Sequence, residues 1–89
     1  MSTNQGVVDW TSEKVDNGVS VVLPAEKRST NIIYCREGKG HAWRPTSLPY
    51  NANWDKLTHD GEKFIVEDSR NARLQAVSVD GKTWRDAGT

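Results

Sequence analysis

Apolar residues along this chain come in short runs rich in β-branched side chains: Val19-Ser20-Val21-Val22-Leu23, Ile32-Ile33-Tyr34-Cys35, Phe64-Ile65-Val66 and Leu74-Gln75-Ala76-Val77-Ser78. Such runs suit a pleated, half-buried surface, and no window sustains a 3.6-residue apolar period. The pattern therefore predicts an all-β protein with essentially no helix. Asp16-Asn17-Gly18 and His59-Asp60-Gly61 read as hairpin turns, because Asn or Gly supplies the positive φ that a two-residue turn requires. The segments before them, Trp10 to Val15 and Trp54 to His59, supply a strand each. Polar loops are expected over Pro24 to Asn31 and Glu67 to Arg73, and Glu37-Gly38 and Asp80-Gly81 turn the chain into a last short strand carrying a Trp.

The pattern occurs twice. Placing Gly18 over Gly61 carries the chain without a gap to Gly38 over Gly81, an offset of 43. Val21 then falls on Phe64, Val22 on Ile65, Leu23 on Val66, Lys27 on Arg70 and Tyr34 on Val77. Trp10 and Trp54 lie upstream of the two copies, and Trp43-Arg44 and Trp84-Arg85 end them. The segment Lys39 to Ala42 is two residues longer than its counterpart, as a surface turn tolerates. A repeat is one supersecondary unit, so the chain reads as a single domain over 1–89 with a first repeat at 10–46 and a second at 54–87. The intervening stretch from Arg44 to Asn53 holds Pro45 and Pro49, which disfavour a central strand, and residues 47–53 are read as the linker. The expected architecture is two tandem four-stranded antiparallel units. The alternative is one small β-barrel formed by all eight strands.

Composition narrows the function classes. Twelve basic and twelve acidic side chains balance, so no global field draws the protein to nucleic acid or an acidic membrane. No apolar run approaches the ~20 residues that span a bilayer. Met1-Ser2-Thr3-Asn4-Gln5 lacks the basic and apolar regions of a signal peptide. Cys35 is the only cysteine, which excludes an intrachain disulfide and a thiolate-rich metal site and fits a reducing compartment. His41 and His59 stand in separate turns without a second ligand at metal spacing, so no metal or other cofactor is expected. Cys35, inside a strand, reads as a small buried hydrophobe. No phosphate-cradling Gly loop or hydrolase elbow occurs.

Ser78-Val79-Asp80-Gly81-Lys82-Thr83-Trp84 resembles the Asp-box of sialidase-type repeats. More closely, Trp54, Gly61, Phe64-Ile65-Val66 and Ala76 to Trp84 resemble the propeller-blade repeats of phage tail and virion proteins. The resemblance covers 54–87 and is degraded over 10–46, where Cys35 replaces the Ser, Glu37 the Asp, and Lys39-Gly40-His41-Ala42 displaces the Thr. It implies propeller-like blades. Two blades cannot close a ring, so it further implies completion by oligomerisation, with a trimer favoured, or by a larger virion protein. The box itself is structural: Asp80 and Gly81, with Glu37 and Gly38 in their place in the first copy, shape the turn, and Trp43 and Trp84 pack beside it.

The functional expectation that follows is a non-enzymatic virion component, a tail, fibre or capsid-surface decoration protein made in the host cytoplasm. The alternative is an oligomeric carbohydrate-binding lectin with pockets between blades, and a third reading is a fragment of a carbohydrate-cleaving enzyme. Candidate ligand-binding residues are Trp10 and Trp54 as aromatic platforms, Arg44 and Arg85 as forked donors, and Tyr50 in the Pro-bounded stretch. A host-surface glycan is the candidate ligand, and no catalytic residue is assigned.

Overall fold

The computed structural model describes residues 8–26, 28–38 and 40–87. The chain start inspected for a leader, Lys27 of the offset alignment and Lys39 of the longer loop lie outside the described residues. The described chain is all-β, with eight strands: β1 (Val8–Asp16), β2 (Val19–Pro24), β3 (Thr30–Arg36), β4 (Arg44–Ala52), β5 (Lys56–His59), β6 (Phe64–Asp68), β7 (Asn71–Ser78) and β8 (Arg85–Asp86). They form two antiparallel four-stranded meanders in the orders β1-β2-β3-β4 and β5-β6-β7-β8. The eight strands divide into these two sheets rather than one barrel.

The offset of 43 is reproduced in the ladders. Val21 pairs with Cys35 and Val22 with Tyr34 in the first sheet, and their counterparts Phe64 with Ser78 and Ile65 with Val77 in the second. Because successive strand residues point to opposite faces, this shared register gives each sheet an equivalent inner face. Val21, Leu23, Ile33 and Cys35 join Phe64, Val66 and Ala76 in one buried cluster, filled out by Leu48, Ala52, Trp54, Leu57 and Trp84. Equivalent faces thus meet across the core, as in a two-layer sandwich. Successive blades around a ring axis meet through opposite faces.

Three local readings differ from the expectation. Residues 47–52, expected as a linker, continue β4, which pairs with β3 through Cys35↔Arg44, Tyr34↔Pro45, Ile33↔Thr46 and Ile32↔Ser47 before a bulge. The prolines are accommodated because β4 is an edge strand, where a missing N–H on the open side breaks no ladder bond. The loop expected over 67–73 is a tight turn, with Asp68 paired to Asn71. Asp55 holds it by accepting from the Ser69 N–H at 2.8 Å and the Ser69 hydroxyl at 2.6 Å. Finally, Trp43 and Trp84 precede β4 and β8 rather than lying within them.

The two hairpin turns also differ from each other. Asn17 (φ 52°) and Gly18 (φ 80°) both take the left-handed region, as a two-residue turn between paired Asp16 and Val19 demands. The second is a longer loop between paired His59 and Phe64. Asp60 Oδ1 accepts there from the N–H groups of Glu62 at 2.9 Å and Lys63 at 3.0 Å.

Gly81 is the tightest point between the sheets. At φ +79° it lies where an added Cβ would stand 2.9 Å from a Val21 methyl and 3.0 Å from a Val19 methyl, both from the opposite sheet. Gly61, at φ +100°, has open space around it. Gly81→Ala is expected to lower stability by about 2–4 kcal/mol through strain plus overpacking, and Gly61→Ala by about 1 kcal/mol through strain alone. Urea unfolding of the two variants checks the difference.

Candidate functional site

The box turn after β7 is built by hydrogen bonds from its own residues. Asp80 Oδ1 accepts from the N–H groups of Lys82 and Thr83, each at 2.9 Å, and from the Ser78 hydroxyl at 3.0 Å. Ser78 Oγ in turn accepts from the Gly81 N–H at 2.7 Å. Trp84 folds back so that its indole N–H donates to the Gly81 carbonyl at 3.1 Å, and its ring enters the common core near Phe64.

The first repeat departs from this. Glu37 bonds with Lys82 of the other repeat, while Gly38 takes φ +105° and its carbonyl accepts from the His41 N–H at 3.4 Å. With its longer loop, the chain delivers Trp43 to the outer face of the first sheet, where it is buried with Val8 and Val22 against Tyr34. The two repeat-ending tryptophans therefore occupy opposite faces of their sheets. Trp54, with Leu48, contributes core volume from the β4–β5 region.

An aromatic and cationic cluster forms on that outer face. The Arg36 guanidinium lies 4.4 Å from the Trp43 ring centre and 5.2 Å from that of Trp10, close enough for cation–π attraction to both. Trp10 and Trp43 meet edge to face at 5.5 Å. Glu13 approaches Arg36 at 3.6 Å. Arg36 Nε is buried and accepted by no hydrogen-bonding group of the described residues. Trp10 is 42% exposed, the one exposed aromatic among the described residues.

It is held out by an irregularity of β1. Between Asp9 and Lys14 the ladder to β2 is interrupted, and the Ser12 hydroxyl replaces the missing acceptor by taking the Leu23 N–H at 2.9 Å. Asp9 secures the kink by accepting from the Thr11 N–H at 3.1 Å and the Thr11 hydroxyl at 2.6 Å. Along the same face, Tyr34 adjoins a pocket lined by Pro24, Glu26, Arg28, Thr30 and Ile32.

Of the tentative ligand residues, Trp10 alone joins this cluster. Trp54 is 2% exposed and belongs to the core, so its ring has no face for a ligand. Tyr50 bridges the sheets instead of facing a pocket: its hydroxyl accepts from the Gln75 N–H and donates to Asp86, each at 3.1 Å. Burial and then the Asp86 bond push its phenol above the usual range. Arg44 and Arg85 are both exposed but line different clefts, Arg44 with His41 and Lys82, Arg85 with Ile65, Gln75 and Val77.

Arg36 stands outside the two Trp-Arg pairs that mark the ends of the repeats, so the sequence pattern does not single it out. The available signal was strand alternation, which puts Arg36 on the face of Tyr34 and Val22. No group of three or more His, Cys, Asp or Glu able to hold a metal occurs among the described residues.

Backbone N–H bonds from Thr83 and Lys82 hold the Asp80 carboxyl below its usual range, and backbone and side-chain bonds do the same for Asp60. A depressed folded-state pKa contributes stability above the unfolded value and loses it as pH falls through the folded one. The melting temperature is therefore expected to drop below about pH 4. Asp80→Asn keeps an acceptor and should reduce this acid sensitivity, whereas Asp80→Ala should destabilise by about 1–2 kcal/mol at neutral pH. Thermal melts across pH 2–7 test both. No protein-family model matches the chain, and neither does any curated protein or solved structure.

Proposed function

We propose that the chain is a non-enzymatic structural and binding module of the phage virion type, a tail, fibre or capsid-surface part, that self-associates through the outer face of its first sheet. The observation that carries the binding role is the half-exposed Trp10 held against Arg36 and Trp43. Aromatic and Arg side chains are the residue types that dominate protein contacts, because they offer large area and directed hydrogen bonds at small entropy cost, and here the exposed ring of Trp10 is backed by Arg36. The virion assignment draws on the sequence resemblance of residues 54–87.

In this reading a homotrimer forms by joining the first sheet's outer face to the outer face of the second sheet in the next copy. The half-buried Ile65 and the exposed Val79 provide apolar surface there. Repeated weak contacts then act together on one particle. A second reading, a lectin, is favoured by the pocket beside Tyr34, where an aromatic ring stands with Glu26, Arg28 and Thr30. Those groups are suited to the apolar face and hydroxyls of a sugar.

Light scattering on the purified protein should give about three times the 10.0 kDa chain mass, and Trp10→Ala should shift the mass toward one chain while the fold persists. A folded wild-type monomer would overturn the self-assembly reading. If that monomer binds glycans on an array, the lectin reading replaces it.

A further inference from the structure

A second cleft lies between the β3–β4 connection of the first sheet and the box turn of the second, and it adjoins the Trp10 cluster through Arg36, which lines both. It is lined by Glu37, His41, Arg44, Pro45 and Thr46 from one repeat and Lys82 from the other. Glu37 and Lys82, both exposed, bond across the repeats beside it. Thr46 is tied to the buried Cys35, the hydroxyl and thiol lying 3.2 Å apart. Arg44 and His41 are exposed, and neither forms an ion pair with a described carboxylate.

Three cationic or potentially cationic groups thus converge on one carboxylate. Glu37 registers all of them: the Lys82 hydrogen bond and charge hold its carboxyl below the usual range, and the charges of His41 and Arg44 add to this. Among the groups that line the cleft, Arg36, Arg44, Lys82 and His41 face the single carboxylate of Glu37, while Asp80 acts on Lys82 from outside the lining, so the lining itself carries a positive surplus. Glu37 itself shows the kind of group that the surplus accommodates, a planar oxyanion brought to the cleft by a flexible side chain. Arg44, on the edge strand β4, offers a fork of N–H donors that matches carboxylate or phosphate oxygens.

We propose that this cleft binds a small oxyanion, the carboxylate or phosphate group of a ligand, with Arg44, His41 and Lys82 as donors and Glu37 as a built-in competitor for the same cations. The site needs both repeats, because Lys82 comes from the box turn and the other donors from the degraded copy. Trp10 is not part of its lining. Its exposure keeps affinity modest and makes it fall with added salt.

The test is a titration of the folded protein with inorganic phosphate and, separately, acetate at low ionic strength, followed by NMR of the His41 ring and the Arg44 and Lys82 side chains. Saturable shifts of these groups are expected with at least one of the two anions, and which anion is preferred identifies the chemistry. Arg44→Gln should weaken binding about tenfold, and Glu37→Gln should tighten it severalfold by removing the competitor. Trp10→Ala should leave it unchanged. Shifts that rise linearly with salt for both anions, or saturable binding indifferent to both Arg44→Gln and Glu37→Gln, would overturn the proposal.

Discussion

Neither sheet could stand alone: a small meander with one apolar face in water has no means of offsetting the entropy of ordering its chain. The burial of two equivalent faces against each other is the constraint on which the rest depends. Phe64, Val66 and Ala76 are fully buried only because Val21, Leu23 and Ile33 cover them from the other repeat. That closeness is set in part by a polar turn. Asp80 and Ser78 pin the backbone so that Gly81 presents no side chain toward Val19 and Val21. A hydrogen-bonded loop at the surface thereby determines how closely an apolar core can close.

The same turn explains why the repeats are not equal in use. Where the box is intact, the indole N–H of Trp84 finds the Gly81 carbonyl and the ring goes inward. Where it is replaced by Glu37 and a longer loop, Trp43 goes to the outer face and covers Val22. Space on the inner face is taken by Trp54 and Leu48. The cluster in which the exposed Trp10 meets Arg36 and the buried Trp43 is thus a structural consequence of the first repeat's departure from the pattern. The proposed contact surface and the irregularity coincide there, as functional sites and local conflicts with an otherwise consistent pattern commonly do.

Contacts between the repeats away from the core are polar and lie near the turns. Asp16 approaches His59 Nε2 at 3.4 Å, Glu37 meets Lys82, and Tyr50 links β4 to β7 and β8. Screened surface charges such as these contribute little stability individually. Their value lies in direction: they align the two layers.

The repeat, the all-β class and the separation into two four-stranded units were legible in the sequence, because β-branched runs, Asx-Gly turns and an offset of 43 act through local geometry. The register itself followed, since Val22 and Tyr34 pair as Ile65 and Val77 do. The prolines of β4 misled because only its place at the sheet edge makes them harmless. The candidate site was legible as residue types and not as a location: Trp10 was found, Arg36 was not, and Trp54 and Tyr50 proved to be spacers between layers. Periodicity determines which residues share a face of their own strand. Which face meets the other sheet, and hence which tryptophan is buried and which remains open to a partner, was decided only in the tertiary structure, because burial belongs to pairs of surfaces and a linear pattern describes one surface at a time.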